Sequence, residues 1–375
     1  MTDARLLSRA RRLLEPVTCA LDALIAAAAP YDGLFPSILD RTSGAMLRVL
    51  PPAIPGQRDG DRAHLGSNLI HDEAALRTLL ALAEPLARPE YAAGADAYLA
   101  RFSALCTETP TGLFPWGEHA YWHLVERRVG NSYALAGRPT TPPTTHDHLR
   151  QAPLWLWERL WALNPRAVER FSEGLDLHWI ADDRHEYIRH AYIEEPRRHT
   201  PGARSCDFPR HGGFYITDWA YAWLKTRRDA FRDQIRTMLD YWWPKRDGRG
   251  LLLIESRSPE DDPAFYGINS PAQTLSLATS LYEAADMIEE RDPALAGVMR
   301  ERAAVYTGGF YAAPHDLAAG VFVYSSRRED NAAVRTMPVW GSVYGLWPAS
   351  YVALTCLCAY RLTADPRHLA WAEAV

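Results

Sequence analysis

Apolar positions along this chain recur with the 3.6-residue period of a helix far more often than with the alternation of a strand. In 271–290 the set Leu277, Leu281, Ala284, Ala285 and Ile288 steps i, i+4, i+7, i+8, i+11 along one face. The same pattern predicts helices over 4–29, 71–86, 89–106, 118–127, 149–163, 165–181, 214–226, 229–243, 271–290, 293–306, 348–362 and 366–375. Proline stands in the first turn of several of them (Pro165, Pro271, Pro293, Pro366), where its missing N–H would have had no partner anyway. Only 250–255, "GLLLIE", and 319–324, "AGVFVY", read as short strands or extended loops.

Strands alternating with helices are absent, which excludes a parallel-sheet α/β fold. Glycine–aromatic punctuation recurs between helices, in "YDGLFPSILD", "TGLFPWGEH", "HGGFYITDW", "DGRGLLLIESR" and "GGFYAAPHD". It keeps no fixed period, which argues against a strict solenoid. Six helical hairpins closed in a ring give the expected fold: all-α, an (α/α)6 toroid, one domain over 1–375, with a few short strands in its loops. The Pro-rich stretch 137–148 is flanked by helices of one character and reads as a loop rather than a domain linker.

Composition narrows the partners. Of 375 residues, 47% are hydrophobic and 23% charged, enough for a large core. The net charge of −5 and the lack of like-charge runs predict no nucleic-acid partner and no anionic membrane surface. The cysteines (Cys19, Cys106, Cys206, Cys356, Cys358) are odd in number and fit neither a disulfide framework nor a zinc site. The apolar run 23–29 is too short to span a bilayer. The N-terminus shows no signal-peptide core, so the expected location is the cytoplasm, or the periplasm or exterior if a leader has been removed. Composition leaves the oligomeric state open. Thirteen Trp and eighteen Tyr serve either as core filler or as faces that stack on sugars; both uses are expected.

The stretch "TGLFPWGEHAYWHLVE", 111–126, packs Trp116, Glu118, His119, Tyr121, Trp122, His123 and Glu126 together. Flat apolar rings among titratable groups suit a site that grips a polar ligand with apolar faces. Further clusters hold His146, Asp147 and His148; His185, Arg189, His190 and Tyr192; Asp207, Arg210, His211, Tyr215, Asp218 and Trp219; and Glu255 with Arg257. Each has an ordinary explanation: Asp147 favours a helix start, and lone histidines are usually surface or core groups. The repeated Arg–His pair, 189–190 and 210–211, is harder to dismiss. Arginine offers a planar fork that fits a carboxylate. Histidine beside it is held neutral and able to take a proton, and a nearby tyrosine can act as acid. The His146–His148 pair can chelate, but no HExxH or CxxC accompanies it, and no metal or other cofactor is expected. Nucleotide-binding and nucleophile-elbow motifs are absent.

The segments "TGLFPWGEHAYWHL", "HDHLRQAPLWLWERLWALNPRAVERF", "YIRHAYI" and "LGSNLIHDEAALRTLLALA" resemble bacterial pectate-lyase-like, glycan-degrading proteins. The shared pattern is a Gly-Leu-Phe-x-Trp-Gly-x-His loop at 112–119, a His-rich loop before an aromatic helix at 146–165, and the Arg189–His190 pair. It covers about half the chain. More broadly the chain is similar to (α/α) toroid polysaccharide lyases and unsaturated-uronyl hydrolases. That resemblance implies a uronic-acid glycan as substrate, oligosaccharides rather than an extracellular polymer for a chain without a leader.

The leading expectation is cleavage of such a glycan by β-elimination. Arg189 or Arg210 would hold the carboxylate. His190, His211 or His119 would take the proton, with Tyr215 or Tyr192 as acid and Glu118 in the same catalytic group. Trp116, Trp122, His146, His148, Tyr192, Asp218, Trp219, Glu255 and Arg257 would bind the sugar. Hydrolysis needs two carboxyl groups across the bond, for which Glu118, Asp147, Asp218 and Glu255 are candidates. A sugar epimerase of the N-acylglucosamine type is a further reading, and a non-enzymatic helical scaffold the last; the scaffold predicts these side chains scattered over the surface.

Overall fold

The computed structural model describes residues 3–55, 57, 62–134, 141–181, 186–200, 207–256, 267–337 and 349–374, with the side chains of the first helix from residue 12 onward. Among them run eleven α-helices: α1 (Asp3–Ala28), α2 (Leu69–Ala83), α3 (Pro89–Arg101), α4 (Leu154–Leu163), α5 (Pro165–Gly174), α6 (Pro209–Thr226), α7 (Asp229–Trp242), α8 (Pro271–Ile288), α9 (Pro293–Ala312), α10 (Ala349–Thr363) and α11 (Pro366–Glu373). The strands are short: β1 (Gly66–Ser67), β2 (Ala120–His123), β3 (Arg128–Asn131), β4 (Thr145–Asp147), β5 (His190–Tyr192), β6 (Ile268–Asn269), β7 (Val323–Arg327) and β8 (Ala333–Thr336). Contacts gather into two compact units, one of Met1–Pro52, Arg58–Asp147 and Pro153–Val168, the other of Ala53–Gln57, His148–Ala152 and Glu169–Val375.

In the first unit α2 packs on α3 and α3 on α4. The helix α1 docks on α3 through a polar clasp. Asp22 accepts from Arg88 Nη2 at 2.7 Å and from the Tyr91 hydroxyl at 2.9 Å. The apolar stretch around it is longer than the run 23–29 suggested: Arg12–Tyr31 is long and apolar enough, by length and composition, to cross a membrane.

The expected helix over 118–127 is instead a hairpin. Strands β1, β2 and β3 pair antiparallel in that order, with Tyr121 opposite Gly130 and Trp122 opposite Val129. The β-favouring Tyr121 and Trp122 and a turn ending at Arg127, whose φ is +54°, account for the change. Two glycines make room for one ring: a Cβ at Gly66 or Gly130 would come within 2.0 or 2.4 Å of the Tyr121 side chain.

In the second unit α6 packs on α7 and α8, α8 on α9, and α10 on α11 and α8. The strands β6, β7 and β8 form an antiparallel sheet. Every residue of α6 from Pro209 to Trp223 is buried. Its "HGGFY" segment sets the spacing: a Cβ on Gly212 would lie 2.4 Å from Trp242 Nε1 on α7, and one on Gly213 2.8 Å from Ser280 Oγ on α8. The glycines therefore trade helix propensity for close approach on two sides. The helix begins at Pro209 rather than at 214 as expected, so Arg210 and His211 belong to its first turn and not to a loop.

Candidate active site

The second unit carries charge where it is most costly. Arg210, His211 and Asp218 lie in the buried length of α6, and a buried charge must be paired, hydrogen-bonded or neutralised. His211, Phe214, Tyr215 and Asp218 are spaced i, i+3, i+4, i+7 and share one helical face. His148 meets that face. Its ring is 5.4 Å from that of Phe214 and 6.1 Å from that of Tyr215, and its Nδ1 is 3.1 Å from Asp218 Oδ2. His178, on the 3-10 turn Leu175–His178, approaches the same tyrosine. Its Nδ1 lies 2.8 Å from the Ile188 carbonyl and 3.1 Å from Tyr215 Oη. A carbonyl can only accept, so Nδ1 carries the proton and Tyr215 Oη accepts too, which leaves the tyrosine's own proton to be given elsewhere.

At the start of α6 the two Arg–His pairs meet through their arginines. The guanidinium carbons of Arg189 and Arg210 each lie 5.2 Å from the centroid of the Phe208 ring. Arg210 Nε donates to His211 Nε2 at 3.4 Å. Burial, reinforced by Arg210 and Arg189, pushes the His211 pKa well below the ordinary imidazole value. Burial also brings His178 down to about 3, with the Ile188 carbonyl opposing and His148 adding a little. Both imidazoles are therefore neutral, and more strongly held so than the sequence expectation of a base near neutral pH. On α8, Glu283 accepts from Gln151 Nε2 at 3.4 Å, and burial pushes its carboxyl up.

Next to Phe208, Asp207 anchors the loop before α6. Its Oδ1 accepts from the Ser256 amide at 2.8 Å and its Oδ2 from the Tyr241 and Ser256 hydroxyls at 2.5 Å, while its backbone carbonyl accepts from the Tyr187 hydroxyl at 2.7 Å. Glu255 is buried one residue before Ser256.

In the first unit Trp116 is wholly buried, and its Nε1 donates to His146 Nε2 at 2.7 Å. Its ring packs edge-on against Phe114 and Trp157. The sugar-stacking role expected for it is corrected to that of a wall element. Trp219 is the same case, fully buried with Nε1 donating to the Ser172 carbonyl. Trp122 on β2 stays half-exposed. Glu118 lies 3.6 Å from His119, whose ring is 4.9 Å from that of Tyr133 and tilted 32° to it. Gly117 has a φ of +104°, and a Cβ there would strike the Asp147 carbonyl. His119 and Asp147 each offer a ligand atom within 4.8 Å of the other, so a cation entering this unit would find donors there, although the sequence predicted no metal.

The structure thus gathers Arg189, Arg210 and His211 around one ring, and His148, Tyr215 and Asp218 along one helix face. Tyr192, expected as an acid, has its ring covered by Arg197 at 4.0 Å and its hydroxyl 3.3 Å from His199 Nδ1. His190 lies half-buried on β5, and Arg257 lies outside the described residues. Sequence reasoning missed His178, whose apolar surroundings ("LDLHWI") read as core, and Phe208, which carries no titratable group.

No protein-family model matches the chain, and no curated protein matches it by sequence. Solved structures do match. A sugar epimerase from a ruminal bacterium is similar over 96% of this chain and 85% of its own, at 11% identity and a TM-score of 0.53. A family 76 α-mannanase from Bacteroides thetaiotaomicron matches 58% of this chain at 12% identity and a TM-score of 0.40, and the chain spans about half (54%) of that protein's length. An unsaturated glucuronyl hydrolase from Bacillus sp. GL1 matches over 95% of this chain and 70% of its own, at 13% identity and a TM-score of 0.38. The fold is the (α/α)6 toroid, all-α with a few short strands, as the helical pattern predicted.

Proposed function

We propose that the protein is a carbohydrate-active enzyme that takes a proton from the carbon beside the carboxylate of a uronic-acid sugar and cleaves the glycan by β-elimination. One observation carries this reading: two guanidinium groups and a neutral imidazole converge on Phe208. Arg189 and Arg210 hold the carboxylate and draw charge from it, which acidifies the neighbouring C–H. In the free protein the His211 Nε2 lone pair accepts from Arg210 Nε at 3.4 Å; a carboxylate that draws the Arg210 guanidinium to itself releases that lone pair beside the C5 proton. The incoming anion offsets the two arginines and raises the basicity of His211 when substrate is bound. His211 takes the C5 proton, the C–H electrons form the C4–C5 double bond, and the C4–O bond breaks. The leaving oxygen receives the Tyr215 proton.

An epimerase is the second reading, and the match to the sugar epimerase over nearly the whole chain favours it. It begins with the same proton removal and ends with its return to the opposite face from a second imidazole, for which His178 and His148 are placed along α6. Oligomers of galacturonate, mannuronate, guluronate and glucuronate, assayed for ultraviolet absorbance, reducing ends and isomers, separate the readings. Elimination gives absorbance with each new end; epimerisation gives a new isomer and no new end; reducing ends without absorbance reject both in favour of hydrolysis.

A further inference from the structure

Gln273 stands in the first turn of α8, and its whole side chain is buried. Its Oε1 accepts no hydrogen bond among the described residues. The polar side chains beside it are engaged. Thr274 Oγ1 donates to the Ser270 carbonyl at 2.8 Å and accepts from the Leu252 amide at 3.2 Å. Ser276 is bonded to Tyr351, and Ser280 donates to the Ser276 carbonyl at 3.2 Å. A buried amide oxygen without a donor costs free energy. It calls for a partner that arrives with a ligand.

The packing of α8 on α6 shows where that oxygen stands. Gln273, Leu277 and Ser280 are spaced i, i+4, i+7 and share one face of α8. That face meets α6, because a Cβ on Gly213 would lie 2.8 Å from Ser280 Oγ and 3.2 Å from Leu277 Cα. The two helices run in the same direction. Burial raises the Tyr351 phenol, and Arg210 on α6 and the bond to Ser276 on α8 oppose it. Further along, burial raises the Glu283 carboxyl on α8, and Asp218 on α6 adds to the rise. Arg210, Gly213 and Asp218 thus come level with Ser276, with Leu277 and Ser280, and with Glu283. Gln273 lies one turn before Ser276, about 4.5 Å of helix rise, and Phe208 comes just before Arg210. Gln273 therefore belongs to the helix end where Arg189 and Arg210 approach Phe208. It is 4% exposed and Arg210 5%, so the two sit at one depth.

We infer that Gln273 reads the hydroxyls of the sugar whose carboxylate Arg210 holds, its Oε1 accepting from a ring hydroxyl. The inference rests on the reading above that Arg210 binds a uronate carboxylate. A carboxamide offers an acceptor and two donors, and a hydroxyl can both give and take. A site built to bond a substrate hydroxyl rejects an analogue that lacks it, because the buried polar group is then left unpaired. Gln273 is thus a specificity residue for hydroxylated uronates over bare ring acids.

The test is calorimetric titration of the full chain with glucuronate, with glucose and with tetrahydropyran-2-carboxylate, which keeps the ring and the acid but carries no hydroxyl. Wild type is expected to bind glucuronate most tightly, and the other two less tightly. Gln273→Met, similar in size and apolar, should weaken glucuronate by at least about tenfold, weaken glucose as well, and leave the bare ring acid unchanged. Gln273→Glu keeps an acceptor and adds a charge, so it should keep glucose and weaken both acids. Glucuronate bound equally by wild type and Gln273→Met, both acids weakened alike in that variant, or no hydroxylated sugar bound by wild type overturns the assignment. If Gln273→Met does not fold, Gln273→Glu decides, and acids bound there as tightly as by wild type overturn it. Failure of the elimination reading looks different: Arg210→Gln would then bind both acids as wild type does, while Gln273→Met still weakens glucose.

Discussion

His148 Nδ1 stands 3.1 Å from Asp218 Oδ2, and both side chains are withdrawn from water. The carboxylate fixes the imidazole against the face of α6 that also carries His211 and Tyr215. Asp218→Asn keeps the shape and removes the charge. It is expected to lower unfolding stability by about 1–3 kcal/mol, the scale on which losing one partner of a buried polar contact is felt. Urea denaturation at neutral pH checks it; a midpoint equal to that of wild type means the charge does not hold the ring.

The depressed histidines set an acid limb. His178 falls from 6.5 to about 3 in the folded chain, with burial the main cause. The unfolded state therefore binds more protons between these values. Its contribution to stability is fully present above pH 6.5 and is lost as pH falls toward 3. At one pH unit per 1.36 kcal/mol, this imidazole alone removes roughly 2–3 kcal/mol between pH 6.5 and 4.5. His211 adds to the slope in the same direction. His178→Asn, whose side-chain amide can still donate to Ile188, should flatten the limb in denaturation curves taken across this range.

The glycine pair of α6 is a packing device. Ala at Gly212 would place its methyl 2.4 Å from Trp242 Nε1, and overpacking of this kind costs about 1–3 kcal/mol. Thermal melts of Gly212→Ala should show that loss despite the better helix propensity of alanine. An unchanged or higher midpoint would mean α7 can retreat freely from α6.

Arg210→Gln and Arg189→Gln each remove one of the two forks that lie 5.2 Å from the Phe208 ring. Each should lower kcat/KM on a uronate oligomer by on the order of 10²-fold, the usual cost of one stabilising donor. The corresponding methyl ester, which has no charge to neutralise, should lose much less. Steady-state kinetics on the acid and ester pair read the difference, and equal losses on both would assign the arginines to structure.

Much of this was legible in the sequence, and the misses have physical causes. The apolar face of α8 announced its helix almost to the residue, because a long amphipathic period has few other uses. The hairpin at Ala120–His123 and Arg128–Asn131 was read as a helix because its aromatic spacing imitates one turn, while the deciding contact, Tyr121 over Gly66 and Gly130, joins residues far apart in the chain. The Arg–His pairs were visible as pairs, but their convergence on Phe208 depends on a ring that carries no chemical flag. Trp116 and Trp219 looked like sugar platforms because composition does not tell a buried indole from an exposed one. His178 went unnoticed for the opposite reason, since its neighbours are apolar and its partners are a backbone carbonyl and a distant tyrosine.

The central claim is removal of a proton from the carbon next to the carboxylate. Its most direct measurement is the rate of unsaturated-product formation from a uronate oligomer carrying deuterium at C5, compared with the protium form. A several-fold slower rate for the deuterated sugar, abolished together with all product in His211→Ala, is the predicted result. Bond cleavage at equal rates for the two sugars, with reducing ends but no ultraviolet absorbance, would contradict it.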